Sequence, residues 1–166
     1  MNAPFRLLPA IFLVASAALT AQETKPSAGA TSAPKSAAAD QEVLEAKFKD
    51  SLTNATLSGL WSGIKDGALT PAKEDQYEVT SATKLTADTW LLTARMQYGK
   101  RDLTIPVPVQ VRWAGDTPVI CVTDFAIPGG GTYSARVLIY AGTYAGTWTG
   151  KDHGGLLHGA ITHRKK

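Results

Sequence analysis

From Thr56 onward the chain breaks into short runs of Val, Ile, Thr, Tyr and Trp, separated by Gly, Asp and Pro at intervals too short to hold a crossover helix. A parallel β pair needs a connection of about a dozen residues, so this spacing restricts the strands to antiparallel neighbours. Eight runs read as strands, approximately Leu57 to Lys65, Gln76 to Lys84, Thr89 to Tyr98, Leu103 to Trp113, Pro118 to Ile127, Thr132 to Tyr140, Thr143 to Gly150 and Gly155 to Thr162. Between them lie turn-forming residues such as Asp66-Gly67, Gly115-Asp116, Pro128-Gly129-Gly130-Gly131 and Ala141-Gly142. The spacing predicts an all-β domain, an antiparallel eight-stranded up-and-down barrel in which closure removes exposed edges; a flattened β-sandwich is the alternative.

Alternation within the runs assigns faces. Trp90, Leu92, Ala94, Met96 and Tyr98 share one face of their strand, and Ile105, Val107, Val109, Val111 and Trp113 one face of the next. Pro106 and Pro108 fall on the other side of that second strand. Each removes a ladder donor, which places the strand at an edge or at a bulge.

Ahead of the strands, Asp40 is placed to cap a short helix from about Gln41 to Asn54, with Glu42 and Glu45 near its positive end. Leu44, Phe48, Leu52 and Ala55 form a narrow apolar stripe that must dock, most simply on the β domain. Residues 22–39, after Gln22 and Glu23, are Ala, Ser, Thr, Pro, Lys and Gly, with no aromatic and no Val, Leu or Ile, and are expected to form a disordered linker. The chain begins Met1-Asn2-Ala3-Pro4-Phe5-Arg6, then runs through an apolar stretch from Leu7 to Leu19 and small residues to Ala21, the layout of a secretory signal. Residues 1–21 are thus expected to be a signal peptide cleaved near Ala21, leaving 40–166 as the barrel domain with its helix at 40–55. The expected destination is export, periplasmic or extracellular, for a bacterial-type protein. The apolar stretch is shorter than the roughly 20 residues of a membrane span, so no membrane span is expected.

Cys121 is the only cysteine, so no internal disulfide forms and lipidation at the signal site has no thiol to use. Its place in Val119-Ile120-Cys121-Val122 reads as a small buried hydrophobe. The formal charge of +3 is nearly neutral for a chain of this size, and basic residues are dispersed, which argues against nucleic acid as a partner. Asp152, His153, His158 and His163 cluster in sequence, but side chains five apart on a strand face opposite ways, and no metal site is expected. Asp116 and Asp124 flank a strand without a nucleophile or base, so a hydrolase is the weakest reading, and no catalytic residue and no cofactor are implied.

Gly59-Leu60-Trp61-Ser62-Gly63 and Gly146-Thr147-Trp148-Thr149-Gly150 repeat a Gly-x-Trp-x-Gly pattern near the two ends of the β domain. If the sheet closes, these strands become neighbours, and Trp61 and Trp148 are expected to pack one end of the barrel beside their glycines. A short helix leading into Gly59-Leu60-Trp61, followed by up-and-down strands, resembles the lipocalin and avidin group (calycin type) of ligand-binding barrels. The resemblance lies in architecture and one Gly-x-Trp. It implies an Arg of a late strand packed over that Trp, a part for Arg136 or Arg164; the second lipocalin signature, Thr-Asp-Tyr, is met only by Val122-Thr123-Asp124-Phe125. It carries over a fold and no ligand.

Two functions fit these expectations. One is a barrel binding a small apolar molecule in a cavity lined by Trp90, Met96, Tyr98, Trp113 and Tyr140. The other is a structural or protein-interaction module of the cell envelope, its partner an envelope protein and its interior filled by those same side chains. An interior void above about 300 Å³ separates the first from the second.

Overall fold

The structure, a computed structural model, describes residues 33–98 and 101–163, with side chains for 38–97 and 102–163. The expected signal peptide and the linker as far as residue 32 lie outside the described residues. One helix, α1 (Ala33–Leu52), precedes nine strands: β1 (Ala55–Lys65), β2 (Ala68–Leu69), β3 (Lys73–Lys84), β4 (Thr89–Tyr98), β5 (Arg101–Ala114), β6 (Thr117–Ala126), β7 (Thr132–Tyr140), β8 (Thr143–Thr149) and β9 (Gly154–His163). Each of the eight long strands pairs antiparallel with its neighbours, and β9 returns to β1 from Gly63↔Gly155 to Ala55↔His163. The result is the expected closed barrel; the sandwich alternative does not form. The two-residue β2 is an addition, a small hairpin folded back on the end of β1 at Ile64↔Leu69 and Lys65↔Ala68. Asp66-Gly67 and Ala141-Gly142, with φ of 52° and 77° and of 48° and 73°, make the left-handed two-residue turns that keep adjacent strands in register.

The helix starts earlier than the acidic cap suggests. Ala33 to Leu52 is helical, so Asp40 lies in its interior, because the Ala37-Ala38-Ala39 run has the highest helix propensity and Pro34 is tolerated in a first turn. The end of the expected linker, residues 33–39, is therefore helix. At the other end Thr53 donates backbone and side-chain hydrogen bonds to the Lys49 carbonyl, and Asn54, at φ 55°, turns the chain into β1. The expected stripe does dock: Phe48 and Leu52 are fully buried across one end of the barrel. Phe48 sits edge-on to Trp90 at 5.0 Å and to Trp113 at 6.3 Å. Glu45, buried beside this cluster, is ion-paired with Lys84 of β3, which pins the helix across the opening.

β5 carries the two prolines as an incomplete neighbour. It pairs with β4 from Tyr98↔Arg101 to Thr89↔Gln110, but with β6 only from Gln110↔Cys121 to Ala114↔Thr117. Residues 101–109, which include Pro106 and Pro108, thus form an edge facing β6 across a seam that is zipped only at the helix end. On β6 the register shifts between Val122 and Phe125, where Asp124 adopts φ 48°. Cys121 is half-buried on the outer face; Ile120 takes the inward position beside it. Among the described residues no helix is long and apolar enough to cross a membrane.

Candidate functional site

Strand alternation turns Leu57, Val79, Leu92, Ala94, Val109, Ile120, Tyr144 and Leu157 inward, and all are buried. They do not fill the barrel. Above the floor of Phe48, Trp90 and Trp113 lies a cavity of about 810 Å³, within the size range of roughly 300–1,000 Å³ typical of small-molecule sites. Its wall is built from β-branched and other apolar side chains, among them Leu57, Met96, Val107, Val122, Val137 and Leu157. It opens at the end opposite the helix, where residues of strand ends and connecting loops, Lys65, Thr70, Pro71, Asp152 and His153, all exposed but the half-buried Thr70, take over the lining.

One polar cluster interrupts the apolar wall. Tyr144, on β8, lies across two glycines of neighbouring strands, Gly159 on β9 and Gly59 on β1, which are paired with each other. A Cβ at Gly59 would collide with the Tyr144 hydroxyl, and one at Gly159 would come within 2.6 Å of its ring. The missing side chains let the phenol span both strands and donate a hydrogen bond of 3.2 Å to Asp75 Oδ1 on β3. Tyr77 donates to the other carboxylate oxygen at 2.9 Å. Burial pushes the Asp75 carboxyl above its ordinary range; the two tyrosine donors and the distant charge of His158 oppose the rise without cancelling it. The Tyr144 hydroxyl is in turn pushed up by its own burial and by the adjacent carboxylate.

An aromatic collar surrounds the mouth. Trp61 and Trp148 meet edge-to-face with centroids 5.6 Å apart, and His153 stands edge-on to Trp148 at 5.3 Å and to Tyr133 at 5.9 Å. Asp152 Oδ1 is 2.8 Å from His153 Nδ1, and this contact holds the Asp152 carboxyl below its ordinary range. Lys73 places its ammonium 5.0 Å from the Trp61 ring centroid. Trp148 Nε1 is buried with no hydrogen-bond partner, an arrangement that costs about 1–3 kcal/mol while the collar keeps this position.

The side chains singled out from the sequence separate into distinct places. Trp61 and Trp148 do come together, at the open end, where both line the cavity. Met96 lines it as well. Trp90 and Trp113 face inward but belong to the floor, packed on Phe48 rather than lining the cavity. Tyr140 points outward and is 60% exposed, because Ile139 before it holds the inward position; Tyr144, across the turn, is the buried tyrosine of this hairpin. The Tyr98 side chain lies outside the described residues. Arg136 does not pack over Trp61: it lies exposed, bonded to the Val122 and Ala135 carbonyls and the Thr123 hydroxyl, and the cation over that indole is Lys73. Arg164 lies outside the described residues. The three histidines are strung along the barrel wall, with His153 at the mouth, His158 midway on the outer face of β9 and His163 near the Asp50 carbonyl of the helix, and among the described residues no three metal-ligating side chains converge.

Sequence reading passed over Asp75, Tyr77 and the Gly59–Gly159 pair. The signal available was an Asp on the inward-alternating side of β3, in step with Tyr77 and Val79. Its partner Tyr144 is 69 positions away, a distance only barrel closure bridges. The chain matches no family model, no curated protein and no solved structure, so what can be said of its function rests on the barrel and its cavity.

Proposed function

We propose that this protein is a binding barrel for a small, largely apolar molecule, held in the cavity above the helix floor. The observation that carries this reading is the 810 Å³ apolar interior, well above the roughly 300 Å³ that separates a hollow barrel from a packed one. The floor is sealed by Phe48, Trp90 and Trp113, and the opposite end is ringed by amphipathic aromatics, an arrangement that gives a ligand one way in. Eight-stranded barrels can be packed solid, so a hollow interior is a choice of side chains and not a consequence of strand number. The architecture agrees with a lipocalin-like or calycin-type barrel, and we read the export signal and tether as delivering it to the periplasm or the exterior. No step of chemistry is required of it.

Native mass spectrometry of protein purified from its own source tests the reading. A retained small molecule, or saturable enhancement of an apolar dye that is lost in Val122→Phe and kept in the outer-face control Leu138→Phe, supports it. A ligand-free protein that binds no apolar dye overturns it in favour of a structural or protein-interaction module of the envelope.

A further inference from the structure

The charges around the mouth are not balanced. The acidic and basic side chains that line the cavity are Lys65, Lys73, Asp152 and His153. Asp152 is taken up by His153, 2.8 Å away. Lys65 and Lys73 take part in none of the ion pairs among the described residues. Glu74, next to Lys73, alternates to the exposed outer side of β3. Asp75, the carboxylate on the inward side, is turned into the wall, where the Tyr77 and Tyr144 hydroxyls occupy both its oxygens. A ligand in the mouth therefore meets two ammonium groups against one carboxylate, Asp152, which is hydrogen-bonded to His153, while the wall below is mainly apolar and is interrupted by the Tyr77 and Tyr144 hydroxyls. Lys73 is also pre-positioned, because its ammonium rests over the Trp61 ring at the rim.

We propose that the ligand is an amphiphile with an anionic head group, its apolar part directed toward the helix floor and its head held at the mouth by Lys65 and Lys73. This deepens the small-molecule reading and rests on it. The residues fix the sign of the head group and its depth, and a carboxylate and a phosphate monoester share the required chemistry. A neutral or cationic head would leave the two ammonium groups uncompensated or repel them.

Titration of the full chain with four probes of one tail, dodecanoate, dodecyl phosphate, dodecanol and dodecyltrimethylammonium, all below their micellar concentrations, tests this. Intrinsic fluorescence of the Trp61–Trp148 collar provides the readout. At low salt at least one of the two anions binds about tenfold more tightly than dodecanol, the cation binds more weakly, and added salt shrinks the differences. The ratio of dodecanoate to dodecyl phosphate then tells a free acid from a phosphate ester. In Lys65→Gln/Lys73→Gln, whose melting curve should stay close to the wild type because both side chains are exposed and only the Lys73–Trp61 contact is lost, the advantage of the anions collapses while dodecanol binding is unchanged. Equal affinity for anion, alcohol and cation, or a preference that survives the double substitution, overturns the head-group assignment and leaves the cavity reading intact. Absence of binding by all four probes overturns both.

Discussion

Tyr144 can reach Asp75 only because two residues between them lack side chains, and this makes Gly59 and Gly159 more than flexible links in a strand. A methyl group at either position has to move a buried ring or the neighbouring backbone. Overpacking of this kind costs about 1–3 kcal/mol, so Gly59→Ala should lower the unfolding free energy measured by urea titration by that amount. Gly63→Ala, four residues along the same strand, meets nothing closer than the Thr70 hydroxyl at 3.4 Å and should be close to neutral in the same urea titration. The buried carboxylate has a signature in pH. Because burial holds the folded-state value of Asp75 above its ordinary 3.8, the folded protein binds that proton more tightly than the unfolded chain does. The contribution to stability is present while Asp75 is protonated in the fold and is lost as pH rises from about 4 through the raised value. Asp102, held down by Arg95, and Asp152, held down by His153, act in the opposite sense, and what they contribute is lost as pH falls below the ordinary carboxylate range. Asp75→Asn removes only the first effect. The difference in melting temperature, variant minus wild type, should therefore grow more positive from about pH 4 to pH 7 by calorimetry, and a flat difference would show that Asp75 does not titrate in the fold.

At the scale of elements, α1 acts as a stopper. Phe48 is 2% exposed and wedged between two indoles, and Phe48→Ala should cost about 3–5 kcal/mol and admit water to the floor, which near-ultraviolet circular dichroism of Trp90 and Trp113 would register. The strands were legible because their boundaries are written locally: the turn residues stand at the turns, and alternation put Trp90, Leu92, Ala94 and Met96 on the inner face where they are found. The helix stripe was legible in the same way. Its start was not, because an Ala-rich segment reads equally as tether or helix and Asp40 offered a later cap. Face assignment slipped at the β7–β8 hairpin, where Leu138-Ile139-Tyr140 is apolar throughout and alternation has nothing to contrast. The site was less legible still. Alternation states which residues turn inward but not whether they meet, so floor and cavity wall looked alike, and the Asp75–Tyr144 bond depends on strands that become neighbours only when the first and last pair.

For the molecule as a whole, the hollow interior and the half-zipped seam belong together. A barrel filled with side chains would draw β5 and β6 together along their length, whereas here Val107 and Val122 flank the cavity near a line of unformed ladder bonds. Amide exchange should be faster at Thr104, the seam-facing amide of this stretch of β5, and in residues 122–126 than where β1 pairs with β9, and a ligand that fills the cavity should slow exchange along the seam first. Two facing strand edges with free backbone groups are, however, also a template on which another chain can grow. Pro106 and Pro108 lack the donors such growth needs. Pro106→Thr/Pro108→Thr restores them, and the double variant should show a shorter lag in thioflavin T assembly assays than the parent protein. By giving up two backbone donors the chain can keep its wall parted without inviting its neighbours to complete it, a form of resistance to amyloid written into the side of the barrel.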